Sequence, residues 1–241
     1  MLSLQLVKAL YEFVILLFSI SVHACAQSWM ASRLGDHTAR LEGRISLNPG
    51  RHIDPFGTFL YPALMIFGPL FGFTWFGDGS IIMGWGRQVP IMTRNLKKIT
   101  RDTNLITLAG PAANLLLAIV GFLLLVGLLM AAPGDLRAAE SSLNALPSIG
   151  GSAILAVAVL ARYTIAINLG LIFFNILPIP PLDGGAILRN ILPYNALATY
   201  DQISRYSTVL IFFFGGILVR LLLGPAMGIV MYLLTLILGS R

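Results

Sequence analysis

Charge is scarce in this chain. Asp, Glu, Lys and Arg make up 11% of 241 residues, against roughly 25% in a soluble domain. With 57% hydrophobic residues and a mean hydropathy of +0.85, a water-soluble globular fold is excluded and a polytopic membrane protein is implied. Cysteine occurs once, at Cys25, which excludes an internal disulfide framework, leaves the redox compartment open, and makes packing as a small apolar side chain its expected role. Acidic residues are fewer than basic ones, giving a net charge of +6. No basic stripe with interleaved aromatics accompanies that excess, so nucleic acid is not an expected partner and the charge reads as membrane topology. The sequence also lacks internal repeats, low-complexity tracts and long linkers, so residues 1–241 are expected to form a single integral-membrane domain.

What is present is a series of apolar segments near 9 to 31, 57 to 76, 104 to 132, 152 to 177 and 207 to 239, each judged against the roughly 20 residues a spanning helix needs. The last is long enough for two passes with a break at Gly224-Pro225. The expected fold is therefore all-α, with about five or six transmembrane helices. Lys8, the run Phe13 to Ile20 and Ala24-Cys25-Ala26 resemble a signal peptide with a small-residue cleavage site. Against that, Ser28-Trp29-Met30-Ala31 continues a helix past the cut.

The loop around 86 to 101 carries Arg87, Arg94, Lys97, Lys98 and Arg101 and is expected to be cytoplasmic, with the loop at 133 to 150 outward. One further crossing then brings Asp183 back to the cytoplasmic side. For a residue on the first segment to meet it, the stretch 57 to 76 must be broken or re-entrant, as Pro62, Gly68-Pro69 and Gly72 permit.

Polar residues at membrane depth carry the chemistry. Ser19, His23 and Gln27 are four apart and share one face of a helix, an arrangement that serves interhelical hydrogen bonding or a site. Asp183 follows Pro178, Pro180 and Pro181, which stop a helix, and precedes Gly184-Gly185, which let the chain turn tightly. It is either a helix-capping aspartate at the membrane edge or a group presented to a site from irregular backbone. Asn168 and Asn175, seven apart, add a polar face to the preceding helix, for interhelical bonding or for contact with a substrate.

Ser21-Val22-His23, Leu34-Gly35-Asp36 with Thr38-Ala39-Arg40, Gly43 to Pro49, His52 to Gly57, Gly84-Trp85 with Val89-Pro90, Ala109 to Asn114, and Asn175 to Gly185 follow one another along the chain. Taken in that order, they resemble the site-2 protease family of intramembrane zinc metallopeptidases in its short form without a PDZ insert. The resemblance covers residues from about 13 to 190. It implies a peptidase-like domain built on three transmembrane helices around a zinc ion. Hydrolysis would take place in or near the membrane-spanning segment of a substrate protein. His23 would be the first ligand, Asp183 the third, and Asn175 would lie near the cleft that receives the substrate.

The departures from the family pattern bear on mechanism. Ala24 occupies the general-base position, so there is no catalytic residue there, and a methyl group accepts no proton, a loss typically worth about 10² to 10⁴ in rate. Gln27 stands at the second histidine position and offers a neutral amide, a weak metal ligand beside imidazole. His23 and Asp183 are one donor short of the three protein ligands usual at catalytic zinc. His52, His37, Asp54 and Glu42 are the candidates for rescue. Of these, His52 matches a histidine of intact family members and His37 replaces an expected proline. The expectation is a non-catalytic relative in the cell membrane, its motif side toward the cytoplasm, that binds membrane-spanning protein segments or a regulatory membrane partner. The alternative is a working zinc-dependent intramembrane peptidase.

Overall fold

In the computed structural model the described residues are 2–68, 72, 83–131 and 153–239, and every regular element among them is helical. Among the described residues four stretches are long and apolar enough to cross a membrane: Ala9–Arg33, Ile99–Ala131, Ala156–Ile176 and Ile211–Ile237. They belong to helices α1 (Leu2–Arg33), α4 (Ile99–Ala131), α5 (Ala153–Ile176) and α9 (Gly216–Gly239). Between them lie the short helices α2 (Thr38–Leu41), α3 (Tyr61–Phe67), α6 (Asp183–Ile191), α7 (Tyr194–Ser204) and α8 (Ser207–Leu210). The bilayer core offers no water to bond free backbone groups, which is why the crossings are helical.

The 207 to 239 stretch differs from the two-pass expectation. α8, a π-helical turn at Ile211–Gly215 and α9 form one continuous run with Pro225 inside it. Proline removes a single intrahelical bond, whereas a turn at membrane depth would expose many polar groups, so the helix continues. The stretch 57 to 76 contributes a π-helical turn at Pro55–Leu60 and α3, together too short to span. The rest of that stretch, apart from Gly72, and the loop at 133 to 150 lie outside the described residues.

α1, α4 and α5 pack pairwise, with α4 against α5 the most extensive interface. Buried Ala118, Ala158 and Ala161 let those two backbones approach closely, a packing mode suited to a solvent as apolar as leucine. Leu16 and Ile20 of α1 meet Ile167 and Leu171 of α5 in a second seam. The outer face of α4 leaves Leu116, Val120 and Leu123 exposed, as a lipid-facing surface requires.

The extended segment 83–92 lies against this bundle through bonds along its inner edge. Trp85 N donates to Gly57 O at 3.2 Å and Arg87 N to His52 O at 2.8 Å, while Thr58 Oγ1 donates to Trp85 O at 3.0 Å. Buried Arg44 donates to the carbonyl oxygens of Arg51, Arg87 and Gln88. Met92 N donates to Asp36 Oδ2 at 2.7 Å. Trp85 stacks with Phe174, both against Tyr61, so the segment is anchored by its aromatic side chain as well.

Candidate functional site

Three elements meet at one end of the bundle. α1 supplies His23, Ala24 and Gln27, α4 supplies Thr107, Gly110 and Asn114, and the start of α6 supplies Asp183. A cavity of about 230 Å³ opens beside them, lined among others by His23, Ala24, Gln27, Asn175 and Asp183, with Gly84 to Val89 forming a wall.

Local sequence explains how Asp183 arrives there. α5 ends at Ile176, the prolines carry the chain out of helical geometry, and α6 begins at Asp183 itself. A Cβ on Gly184 would overlap the Ile176 carbonyl, so only glycine lets the returning chain pass this close. Tyr200 Oη donates to Gly185 O at 2.7 Å and Asn190 Nδ2 to Asn104 Oδ1 at 2.8 Å, which fixes α6 to α7 and α4. Asp183 does not cap the helix through its side chain. Its carboxylate turns to α1 instead.

Gln27 Nε2 donates to Asp183 Oδ1 at 2.8 Å and to Thr107 O at 3.1 Å. The second acceptor has a local cause. Pro111 lies inside α4 and has no N–H to give to the carbonyl four residues earlier, which is that of Thr107. Two acceptors therefore face the Gln27 amide, and its NH₂ end is turned toward the aspartate. His23 Nε2 lies 3.0 Å from Asp183 Oδ2, with side chains 13% and 15% exposed. The pair is close but not aligned as a hydrogen bond, and Oδ2 is left without one. On the other side of the ring, His23 Nδ1 is 3.2 Å from Asn114 Nδ2. A Cβ on Gly110 would overlap the imidazole, so this glycine is the floor on which the ring rests.

The structure thus brings His23, Gln27 and Asp183 together, with Asn175 on the same cavity and Ala24 presenting a methyl to it. Asn168 joins α5 to α1 by donating to Ser19 Oγ at 3.0 Å, while Asn175 donates within its own helix to Leu171 O at 2.9 Å. None of the rescue candidates lines the cavity. His52 Nε2 is 2.7 Å from Ser46 O, His37 Nδ1 is 2.9 Å from Ser32 Oγ, and Asp54 accepts from the Phe56 and Gly57 amides. Glu42 is exposed. Burial, and secondarily the Arg44 cation, push His52 below its ordinary value of 6.5 against the opposing bond to Ser46.

Thr107, Gly110, Asn114 and Gln88 were not identified as site residues from sequence. Gly110 and Asn114 stand there only within a matching stretch, and the interior Pro111 is the one sequence signal from which the free Thr107 carbonyl follows.

The donor set falls short of a catalytic zinc site. Among the described residues no three His, Cys, Asp or Glu side chains converge, and the third group present at the cluster, Gln27, turns N–H rather than oxygen toward it. Two ligands in place of three do not make the tetrahedral shell with one open position that such sites use.

Residues 11–218 match the profile of Peptidase family M50. "Putative zinc metalloprotease YwhC" of Bacillus subtilis (strain 168) is 35% identical over 201 residues, which cover 83% of this chain and 77% of that protein. "Putative zinc metalloprotease Rip2" of Mycolicibacterium smegmatis (strain ATCC 700084 / mc(2)155) is 31% identical over 189 residues, 77% of this chain and 60% of that relative's length. No solved structure matches the chain. An all-helical membrane fold, a cluster formed by His23 and Asp183, and a match over most of the sequence agree: the chain belongs to Peptidase family M50, the site-2 proteases.

Proposed function

We propose that this chain is a non-catalytic member of the family, which keeps the membrane-embedded cleft and uses it to bind membrane-spanning protein segments or a regulatory membrane partner. One observation carries the reading: the Gln27 amide donates to Asp183 and Thr107 where the family pattern calls for a second imidazole. Ala24 beside it cannot act as a base. A binding cleft outlasts its chemistry because fold and reaction are separable properties.

The wall of the cavity supports a protein segment as the occupant. Among the described residues no hydrogen bond engages the backbone of Gly84 or Gly86, while Trp85 and Arg87 between and beyond them are bonded inward. An extended segment with one edge bonded and the other open suits an unwound partner chain, which can add its own backbone groups to that edge. The exposed cations Arg94, Lys97, Lys98 and Arg101 follow this wall, which supports a cell-membrane protein with the motif side toward the cytoplasm.

One observation favours the other reading, a working zinc-dependent peptidase. Asp183 Oδ2 has no hydrogen bond and sits 3.0 Å from His23 Nε2, as two ligands of one ion would. The readings separate by zinc content and cleavage. In detergent, the unmodified protein is expected to hold negligible zinc and cleave no membrane-spanning substrate, and the Ala24→Glu, Gln27→His form to gain both. Near-stoichiometric zinc in the unmodified protein, lost in His23→Ala or Asp183→Ala, overturns the non-catalytic reading.

A further inference from the structure

We propose that Arg94, Lys97, Lys98 and Arg101 form a docking platform for the headgroups of anionic phospholipids, at the end of the bundle where α1 finishes and α4 begins. The proposal concerns the membrane around the chain, and it stands whether or not the chain cleaves a peptide bond.

The turn before α4 is built to present one sign of charge outward. Residues 86–102 contain a single acid, Asp102, which is buried and accepts from Lys98 N at 2.9 Å. Asp36, also buried, accepts from Met92 N at 2.7 Å and Asn95 Nδ2 at 2.9 Å. Leu96 is buried as well and packs with Ala31 of α1 and Ile106 of α4. Both carboxylates are therefore spent on donors of the turn itself, and they hold its backbone in place. What remains on its outer side is cationic. Arg94, Lys97, Lys98 and Arg101 are exposed, and none pairs with a carboxylate among the described residues. Elsewhere, exposed Glu42 interacts with Arg44, and exposed Asp201 pairs with Arg189.

The height of the turn in the membrane follows from its neighbours. Trp29, 50% exposed near the end of α1, carries the Arg33 guanidinium 5.5 Å from its ring centre. An exposed tryptophan with a cation beside it suits the level of the lipid headgroups. Ala31, half a turn further along, packs against Leu96, so the basic turn stands at the same level. From Ile99 onward α4 enters the apolar layer. Ile99 and Met92 are exposed on the same turn and offer apolar surface where acyl chains begin. Cations at phosphate height with apolar side chains among them fit an amphiphile better than a free anion. The arginines grip phosphate oxygens in pairs, and the lysines add point charge. A backbone held by buried bonds loses little freedom on binding. Orienting a chain in the membrane requires only the number of cations. Their placement on an immobilised turn is a further property, and it is the one that makes a site.

The test uses the full chain in detergent, titrated with phosphatidylglycerol or with phosphatidylcholine of the same acyl chains, and bound lipid is counted by native mass spectrometry. Detergent removes orientation from the measurement. The native protein is expected to retain phosphatidylglycerol in preference to phosphatidylcholine. Lys97→Gln with Lys98→Gln is expected to lower that preference by roughly tenfold. Arg40→Gln with Arg51→Gln removes two exposed cations from the loop after α1 and is expected to leave it unchanged. Excess inorganic phosphate is expected not to displace the lipid. Equal retention of the two lipids by the native protein overturns the proposal. An equal loss in both double variants overturns it too, because a diffuse field would then account for the binding. Displacement by inorganic phosphate removes the lipid as the occupant. Zinc content and cleavage do not enter, so the result is independent of the functional reading.

Discussion

Two aspartates divide this molecule between scaffold and candidate site. Asp36, fully buried, accepts from Thr38 N at 3.1 Å, Thr38 Oγ1 at 2.6 Å and Asn95 Nδ2 at 2.9 Å on one oxygen, and from Met92 N at 2.7 Å on the other. Asp183, partly open to the cavity, accepts a single aligned hydrogen bond, from Gln27 at 2.8 Å. The first carboxylate has both oxygens committed, by four donors, to holding the loop after α1 against the segment that walls the cavity. The second keeps lone pairs to spare at a place where something else can reach them. Saturation of hydrogen bonding, more than burial, separates a group that builds the fold from one that faces a function.

The largest effect is expected at Asp36. Asp36→Ala would orphan two backbone amides and two side-chain donors, and a loss of stability on the order of 3 kcal/mol or more is expected in denaturant unfolding, with the cavity wall lost as well. The same substitution at Asp183 orphans only one N–H of Gln27, whose amide keeps Thr107 O as a partner through the other. If Asp36→Ala is no more destabilising than Asp183→Ala, the division is wrong.

Acid sharpens it. Burial pushes the Asp36 carboxyl up, but the bonds from Thr38, Asn95 and Met92 outweigh it and hold the group below its ordinary 3.8. Its contribution is therefore complete above about pH 4 and is lost as pH falls through the lowered value. His52, in the same scaffold, also sits below its ordinary value, so the folded protein binds fewer protons than the unfolded chain. The stability it confers is complete above 6.5 and declines as pH falls from there toward the lowered value. Unfolding measured between pH 7 and 5 is expected to show this decline in the native protein and a flatter profile in His52→Gln. An unchanged slope would remove His52 from the scaffold's acid sensitivity.

The smallest effect is expected at the site. Asp183→Asn keeps size and can still accept from Gln27, so a stability change within about 1 kcal/mol is expected, while binding in the cavity changes. A loss comparable to that of Asp36→Ala would show that the cluster is structural after all.

Much of this was legible from sequence. Composition gives the solvent, the apolar segments give the bundle, and the spacing of His23 and Gln27 on one helix face, with prolines and glycines around Asp183, gives three residues that the structure brings together. What escaped depended on partners far away in the chain. Nothing near Gln27 in sequence tells which end of its amide meets Asp183, because Thr107 decides that from another helix. Asp36 and Arg44 stand in the sequence only within matching stretches, and their role shows once the wall segment they hold is in place. Gly224-Pro225 reads as a break between two passes, and the structure places Pro225 inside one helix.

A proline within a helix is usually considered for the bend it introduces. Pro111 has another effect: it leaves the Thr107 carbonyl as a socket that asks position 27 for one donor and is indifferent to its kind. An amide N–H fills it here, and an imidazole N–H would fill it equally while leaving its other nitrogen directed at Asp183. Any side chain at position 27 with one N–H to offer therefore meets the need that Pro111 creates in α4.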